Sequence, residues 1–197
     1  MTTPPPNSVH PKTRAEWRRW LKAHHNQSEG VWLITYKKAT GKPRVEYEIA
    51  VEEALCFGWV DSKPNVLDDE RSMQWFAPRK PGTGWSRINK ARVAKLIEQG
   101  RMAPAGLAKV QAAQQDGSWN ALDEVEALVM PPDLSSALEA NATAREYFEA
   151  FPRSVKRAIL EWIASAKKPE TRQAYRGDRN LRGQEYPRQS VAPIGQA

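Results

Sequence analysis

The sequence predicts an α+β fold, a small antiparallel sheet packed with helices and followed by an all-helical C-terminal part. Three observations carry that expectation. Between about residues 31 and 77, short runs rich in β-branched and aromatic residues are broken by turn signals, the pattern of a hairpin-built sheet. Elsewhere, apolar residues recur at the three- and four-residue spacing of amphipathic helices. Finally, 197 residues with 40% hydrophobic content and eight tryptophans suffice for one compact core with a smaller appendage.

Taken in order, residues 1–11 are Pro-rich and polar and read as a disordered, mobile arm. Thr13 and Glu16 have capping-box spacing, and Trp17, Trp20, Leu21 and His24 then share one helical stripe. "GVWLITYKK" predicts a strand from Val31 to Lys37, closed by the loop "ATGKPR". Tyr47 to Phe57 predicts a helix stopped at Gly58. Val60–Leu67 and Arg71–Ala77, joined by "DDE", predict a hairpin. Ser86 caps a helix running to Gln99, with Gly100 as its stop, and Pro104 opens another. "ALDEVEALVMPPD" reads as an acidic linker with weak helical character. Short helices are expected near 133–140, 142–150 and 154–167, the last capped by Ser154 with Val155, Ile159, Trp162, Ile163 and Ala166 inward. The expected organisation is an arm (1–11), an α+β domain (12–120), a helical subdomain (121–170) and a disordered tail (171–197).

The net charge of +7 favours anionic partners without specifying one. Residues 12–44 carry nine Lys/Arg against two acids, and residues 102–140 carry one Lys against six acids, so the charge is polarised. Cys56 is the only cysteine and lies in the apolar run "ALCFGWV", which reads as a buried, inert thiol. No apolar run approaches the ~20 residues of a membrane span. The N-terminus lacks the apolar stretch of a secretory signal, so cytoplasmic placement is expected. The three histidines lack the ligand spacing of a zinc site, and neither a metal nor a cofactor is expected.

"PGTGWS", residues 81–86, superficially resembles a phosphate loop, but no Lys-Ser/Thr follows Gly84 and no glycine completes a dinucleotide fingerprint. The helix after it is more informative. Asn89 and Arg92 fall on the arc bounded by Ile88 and Ile97, while Arg87, Lys90, Lys95 and Glu98 fall on the opposite, solvent-facing arc. An inward arginine needs a carboxylate or a bound anion. On the 47–57 helix, Glu53 sits between Ile49 and Phe57 and faces protein. Two readings follow: a structural Glu53–Arg92 pair, or a polar ligand pocket. The pocket would be lined by Glu53, Trp59, Asp61, Arg71, Gln74, Arg79, Trp85, Asn89 and Arg92.

The runs "YEIAVEEALCFGWVDS" and "QWFAPRKPGTGWSRINKARVAKLIEQGRMAPAGLAKVQAAQQDGSW" resemble the bacterial YdeI/OmpD-associated (OmdA-like, bacteriocin-protection) family. So do "WLKAHHNQSEGVWLITYKK", "ARE-YFEAF" and "RAILEWIASAKKPETR". The resemblance spans residues 12–174 and implies a link to tolerance of bacteriocins or antimicrobial peptides and to porin association. It supplies no agreed catalytic residues, and its suggested periplasmic placement conflicts with the missing signal. After Ala174 the resemblance stops at a segment with five Arg, counting Arg172, and no periodicity. Permitted codons for that segment, read one base later, restore a family-like ending. The last 23 residues are therefore expected to be a frameshift product, genuine or from sequencing error, with a naturally divergent disordered tail as the alternative.

The expected function is that of a non-enzymatic stress or antimicrobial-peptide-tolerance protein. It would bind a small anionic ligand or a protein partner in the polar pocket. An enzyme using Glu53 or Asp61 as acid or base is the alternative. The basic and aromatic mixture at 71–92 offers a third reading, single-stranded nucleic-acid binding. Against nucleic acid, most tryptophans fall on core stripes.

Overall fold

The structure, a computed structural model, describes residues 2–166. It divides into two compact units, one ending at Leu122 and one beginning at Asp123. The first unit is α+β. Its strands are β1 (Ser8–Val9), β2 (Val31–Tyr36), β3 (Trp59–Val66) and β4 (Arg71–Pro78). Its helices are α1 (Arg14–His24), α2 (Tyr47–Cys56), α3 (Arg87–Glu98) and α4 (Pro104–Gln115).

The sheet order is β1-β2-β4-β3. The hairpin β3–β4 and the pair β2–β4 are antiparallel, as the alternating runs require. The sheet is nevertheless mixed, because β1 joins β2 in parallel. That strand comes from the segment expected to be a mobile arm. Two further bonds tie it down: Trp32 N–H donates to the Asn7 carbonyl at 2.9 Å, and Arg71 Nη2 donates to the Thr2 carbonyl at 2.9 Å. Backbone groups with partners on an adjacent strand outweigh a Pro-rich composition here.

Helix ends follow the sequence signals. Thr13 Oγ1 accepts the Glu16 N–H at 3.2 Å, and the Glu16 carboxylate reaches back to the Lys12 N–H at 2.7 Å. Gly58, at φ +77, lets the chain leave α2 and enter β3. Gly106 permits a close approach, since a Cβ there would lie 2.3 Å from the Cys56 carbonyl oxygen. One face of the sheet and the helices enclose a core built on Trp17, Leu21, Leu33, Val51, Leu55, Trp59, Phe76, Trp85 and Leu96. Cys56 lies in that core, fully buried, and burial pushes its thiol pKa up.

The second unit, as described, is helical: α5 (Asp123–Glu126), α6 (Pro132–Glu139), α7 (Ala142–Ala150) and α8 (Arg153–Ser165). Its apolar contacts come from Val125, Leu134, Leu138, Ala144, Phe148, Leu160 and Ile163. The acidic linker thus contains a short helix, and its Glu126 accepts from Arg157 at 3.0 Å. Two details of α8 differ from expectation. Pro152, not Ser154, occupies the cap, because proline's fixed φ suits a helix start. Trp162 is 43% exposed while Leu160 takes the inward position. The tail at 171–197 and its frameshift reading lie outside the described residues.

Candidate functional site

Glu53 is fully buried, as its helical phase predicts. Its partner is not Arg92. Both carboxylate oxygens are taken by three other arginines: Arg14 Nε at 2.5 Å, Arg18 Nη1 at 2.6 Å, and Arg101 Nη2. Arg14 also reaches Glu52 at 3.0 Å, and Arg18 Nη2 donates to the Arg101 carbonyl at 2.9 Å. The cluster joins α1, α2 and the turn after α3. The guanidiniums are not themselves buried. Their side chains are 38%, 37% and 26% exposed for Arg14, Arg18 and Arg101. With Ala15 and Gly100 they line an open cleft.

Arg92 lies nearer the rim than the helical phase suggested. Its Nη2 pairs with Glu48, whose side chain is 66% exposed, and its Nη1 donates to Asn89 Oδ1 at 3.1 Å. The phase error has a visible cause. Ile88 and Ile97, taken as the edges of the buried arc, are 62% and 48% exposed, so only the centre of the arc, Val93 and Leu96, is buried. Lys90 departs the other way. It is half-buried, with Nζ 3.1 Å from the Trp119 carbonyl.

The remaining candidates separate. Arg71 is bound twice by Asp68, at 3.0 and 2.6 Å, which holds the Asp68 carboxyl down at about 2. Gln74 lies three residues further along β4, which puts it on the opposite sheet face from Arg71, so the two do not share a cleft. Trp59 is core, its indole donating to the His25 carbonyl at 3.2 Å. Asp61 accepts the Tyr47 hydroxyl at 2.7 Å, and burial together with that carboxylate raises the tyrosine pKa.

Arg79 and Trp85 stay together. Arg79 is 5% exposed, and its guanidinium lies 3.8 Å from the Trp85 ring centroid. Nη1 donates to the carbonyls of Thr83 and Gly84 at 3.2 and 3.0 Å. Neither Arg79 Nε nor the Trp85 indole N–H has a partner among the described residues. Burial lowers the Arg79 pKa to about 10, opposed only by the charge of Asp61.

The nine predicted residues therefore do not form one pocket. Sequence reasoning missed Arg14, Arg18 and Arg101. A signal existed, since Arg14, Arg18 and Leu21 have the i, i+4, i+7 spacing of an inward stripe. Among the described residues, no group of three or more His, Cys, Asp or Glu side chains could hold a metal ion, and no helix is long and apolar enough to cross a membrane.

Residues 9–109, just over half of the chain, match a family described as a domain of unknown function, DUF8412. Residues 127–175 match the family described as bacteriocin-protection, YdeI or OmpD-associated. The chain belongs to the DUF8412 family and carries a YdeI/OmpD-associated domain. The resemblance read over residues 12–174 is thereby refined, because the runs containing Glu53, Asp61 and Arg79 fall in the DUF8412 part. The arginine cleft and the Arg79–Trp85 contact likewise belong to that part. No curated protein and no solved structure matches.

Proposed function

We propose that this YdeI/OmdA-like protein is a non-enzymatic, cytoplasmic tolerance protein of the bacteriocin-protection kind. It binds an anionic group, on a small ligand or a protein partner, at the arginine cleft of its DUF8412 part. The observation that supports this best is the convergence of Arg14, Arg18 and Arg101 on one buried glutamate at the floor of an open cleft. Glu53 fixes the three forks and offsets one charge. Each guanidinium has five N–H donors, and the bonds described use only part of that set. The remaining donors favour a carboxylate or phosphate, which takes guanidinium forks in pairs.

The acid–base alternative has less support. Both Glu53 oxygens accept from guanidiniums and the side chain has no exposure, so a substrate would have to displace an arginine to reach it. A thermal-shift screen with small anions and their neutral analogues tests the proposal. A ligand at 100 times its Kd adds roughly 2.7 kcal/mol of stability. The stabilising compounds should include anions whose effect is smaller in Arg14→Gln than in wild type. A screen in which every hit is neutral, or in which every hit stabilises Arg14→Gln as much as wild type, would contradict the reading.

A further inference from the structure

Arg79 is a buried cation that makes no ion pair among the described residues. It leaves β4 at 5% exposure, with the charge of Asp61 felt there but no direct contact to a carboxylate among those residues. The carboxylate whose charge is felt at Arg79, Asp61, makes its hydrogen bond with the Tyr47 hydroxyl and not with the guanidinium. Burying an unpaired guanidinium costs several kcal/mol, and an unmade buried hydrogen bond adds to that. A methionine or leucine could pack on Trp85 without either penalty.

The orientation of the guanidinium is specific. Two backbone carbonyls hold Nη1, and the Trp85 ring supports the plane from one side. The opposite edge, Nε with Nη2, makes no hydrogen bond among the described residues. The indole N–H of the ring that the guanidinium covers is also unpartnered among the described residues. Two parallel guanidinium N–H groups are the arrangement that a carboxylate or phosphate takes bidentately.

The surroundings are cationic. From Arg71 to Ile97 the chain holds seven Lys/Arg and no acid. Trp85 directly precedes Ser86, the cap of the twelve-residue α3, whose first turn presents the positive end of the helix. Each feature alone would be unremarkable in a basic protein. Together they place an oriented fork, a second orphaned donor and a positive helix end within one short segment.

We propose that the free edge of Arg79 and the indole N–H of Trp85 bind the oxyanion of a carboxylate- or phosphate-bearing small molecule. The site is separate from the arginine cleft and shares none of its residues. Here Trp85 is a donor and a platform, and the turn 81–84 is the frame that fixes Nη1. The stretch that looks like a phosphate loop thus serves an anion through side chains, not through a glycine-rich backbone cradle.

Nitrogen-15 NMR tests this on the full chain in chloride buffer. The Trp85 indole signal is identified by its loss in Trp85→Phe, and the Arg79 Nε–H signal by its loss in Arg79→Lys. Inorganic phosphate and acetate are titrated separately, against chloride at matched ionic strength. Both signals should shift saturably with at least one of the two oxyanions, and the tighter binder identifies phosphate or carboxylate as the recognised group. Arg79→Lys should weaken binding by about tenfold or more, because lysine lacks the fork, and Arg14→Gln should leave it unchanged. The proposal fails if chloride shifts the signals as much as either oxyanion does. It fails also if neither signal moves, or if Arg79→Lys binds as tightly as wild type. The wild-type titration decides the matter even if a variant folds poorly.

Discussion

Two buried charges in the same domain are treated in opposite ways. Glu53 has no exposure and three arginines on its two oxygens. Arg79 is almost as deeply buried and has two carbonyls, a tryptophan face and, among the described residues, no carboxylate in contact. The first charge is more than compensated by the protein itself. The second is left to be compensated from outside. A buried ion that is fully paired reports on folding, whereas one that is oriented but unpaired points to a ligand. The contrast can be broken or sharpened by four substitutions.

The largest effect is expected at Glu53. Glu53→Gln removes the charge shared by three guanidiniums and turns one acceptor oxygen into a donor, and should destabilise the fold by about 3 kcal/mol. That is the low end for a broken buried pair, because the arginines can turn toward water. Urea unfolding measures it, and a loss under about 1 kcal/mol would show that the network adds little to the fold. Arg79→Met is the counterpart. It removes the penalty of an unpaired buried charge together with a cation–π contact and two hydrogen bonds, so stability in chloride buffer should rise, or fall by no more than about 1 kcal/mol. A loss as large as that of Glu53→Gln would mean that Arg79 is a structural ion after all.

Arg92 falls lower on the scale. Its partner Glu48 is 66% exposed, so Arg92→Ala should cost no more than about 1 kcal/mol. A loss near that of Glu53→Gln would restore the buried pair that the helical phase suggested. The smallest expected effect is a pH dependence at Asp68. Arg71 holds the Asp68 carboxyl at about 2 against an ordinary value of 3.8. The unfolded chain therefore takes up the proton first, and the stabilisation present above about pH 4 is lost as pH falls toward 2. Asp68→Asn should flatten the unfolding midpoint over that interval. An unchanged acid slope would show that the pair does not couple to folding.

The sequence made some of this arrangement legible. The inward phase of Glu53 was readable from Ile49 and Phe57, and the helices and the β3–β4 hairpin were readable from caps, stops and alternation. The partners of Glu53 were not, because they lie 39, 35 and 48 residues away for Arg14, Arg18 and Arg101, and helical phase carries no information about which elements pack together. Arg14 and Arg18 flank a tryptophan stripe, where a charged residue ordinarily faces water. The separation of Arg71 from Gln74 was readable from strand parity alone. For Arg79 the position was evident but not the burial, since Pro-Arg-Lys-Pro before a glycine turn has the composition of an exposed corner. β1 was missed for a similar reason. A two-residue strand in a Pro-rich segment has no periodicity of its own, and only the partner strand defines it.

The contrast between the two buried charges is tested most directly by following the urea-unfolding midpoint against phosphate, or acetate if NMR shows that to bind, at constant ionic strength. Wild type, Glu53→Gln and Arg79→Met are compared. A ligand that binds only the folded state raises its stability as concentration rises through Kd. Wild type should gain the most, Glu53→Gln should keep the share of the gain that Arg79 supplies, from a lower start, and Arg79→Met should lose that share. If Arg79→Met gains as much as wild type, or if none of the three responds, Arg79 is not an anion-binding residue and the contrast with Glu53 is lost.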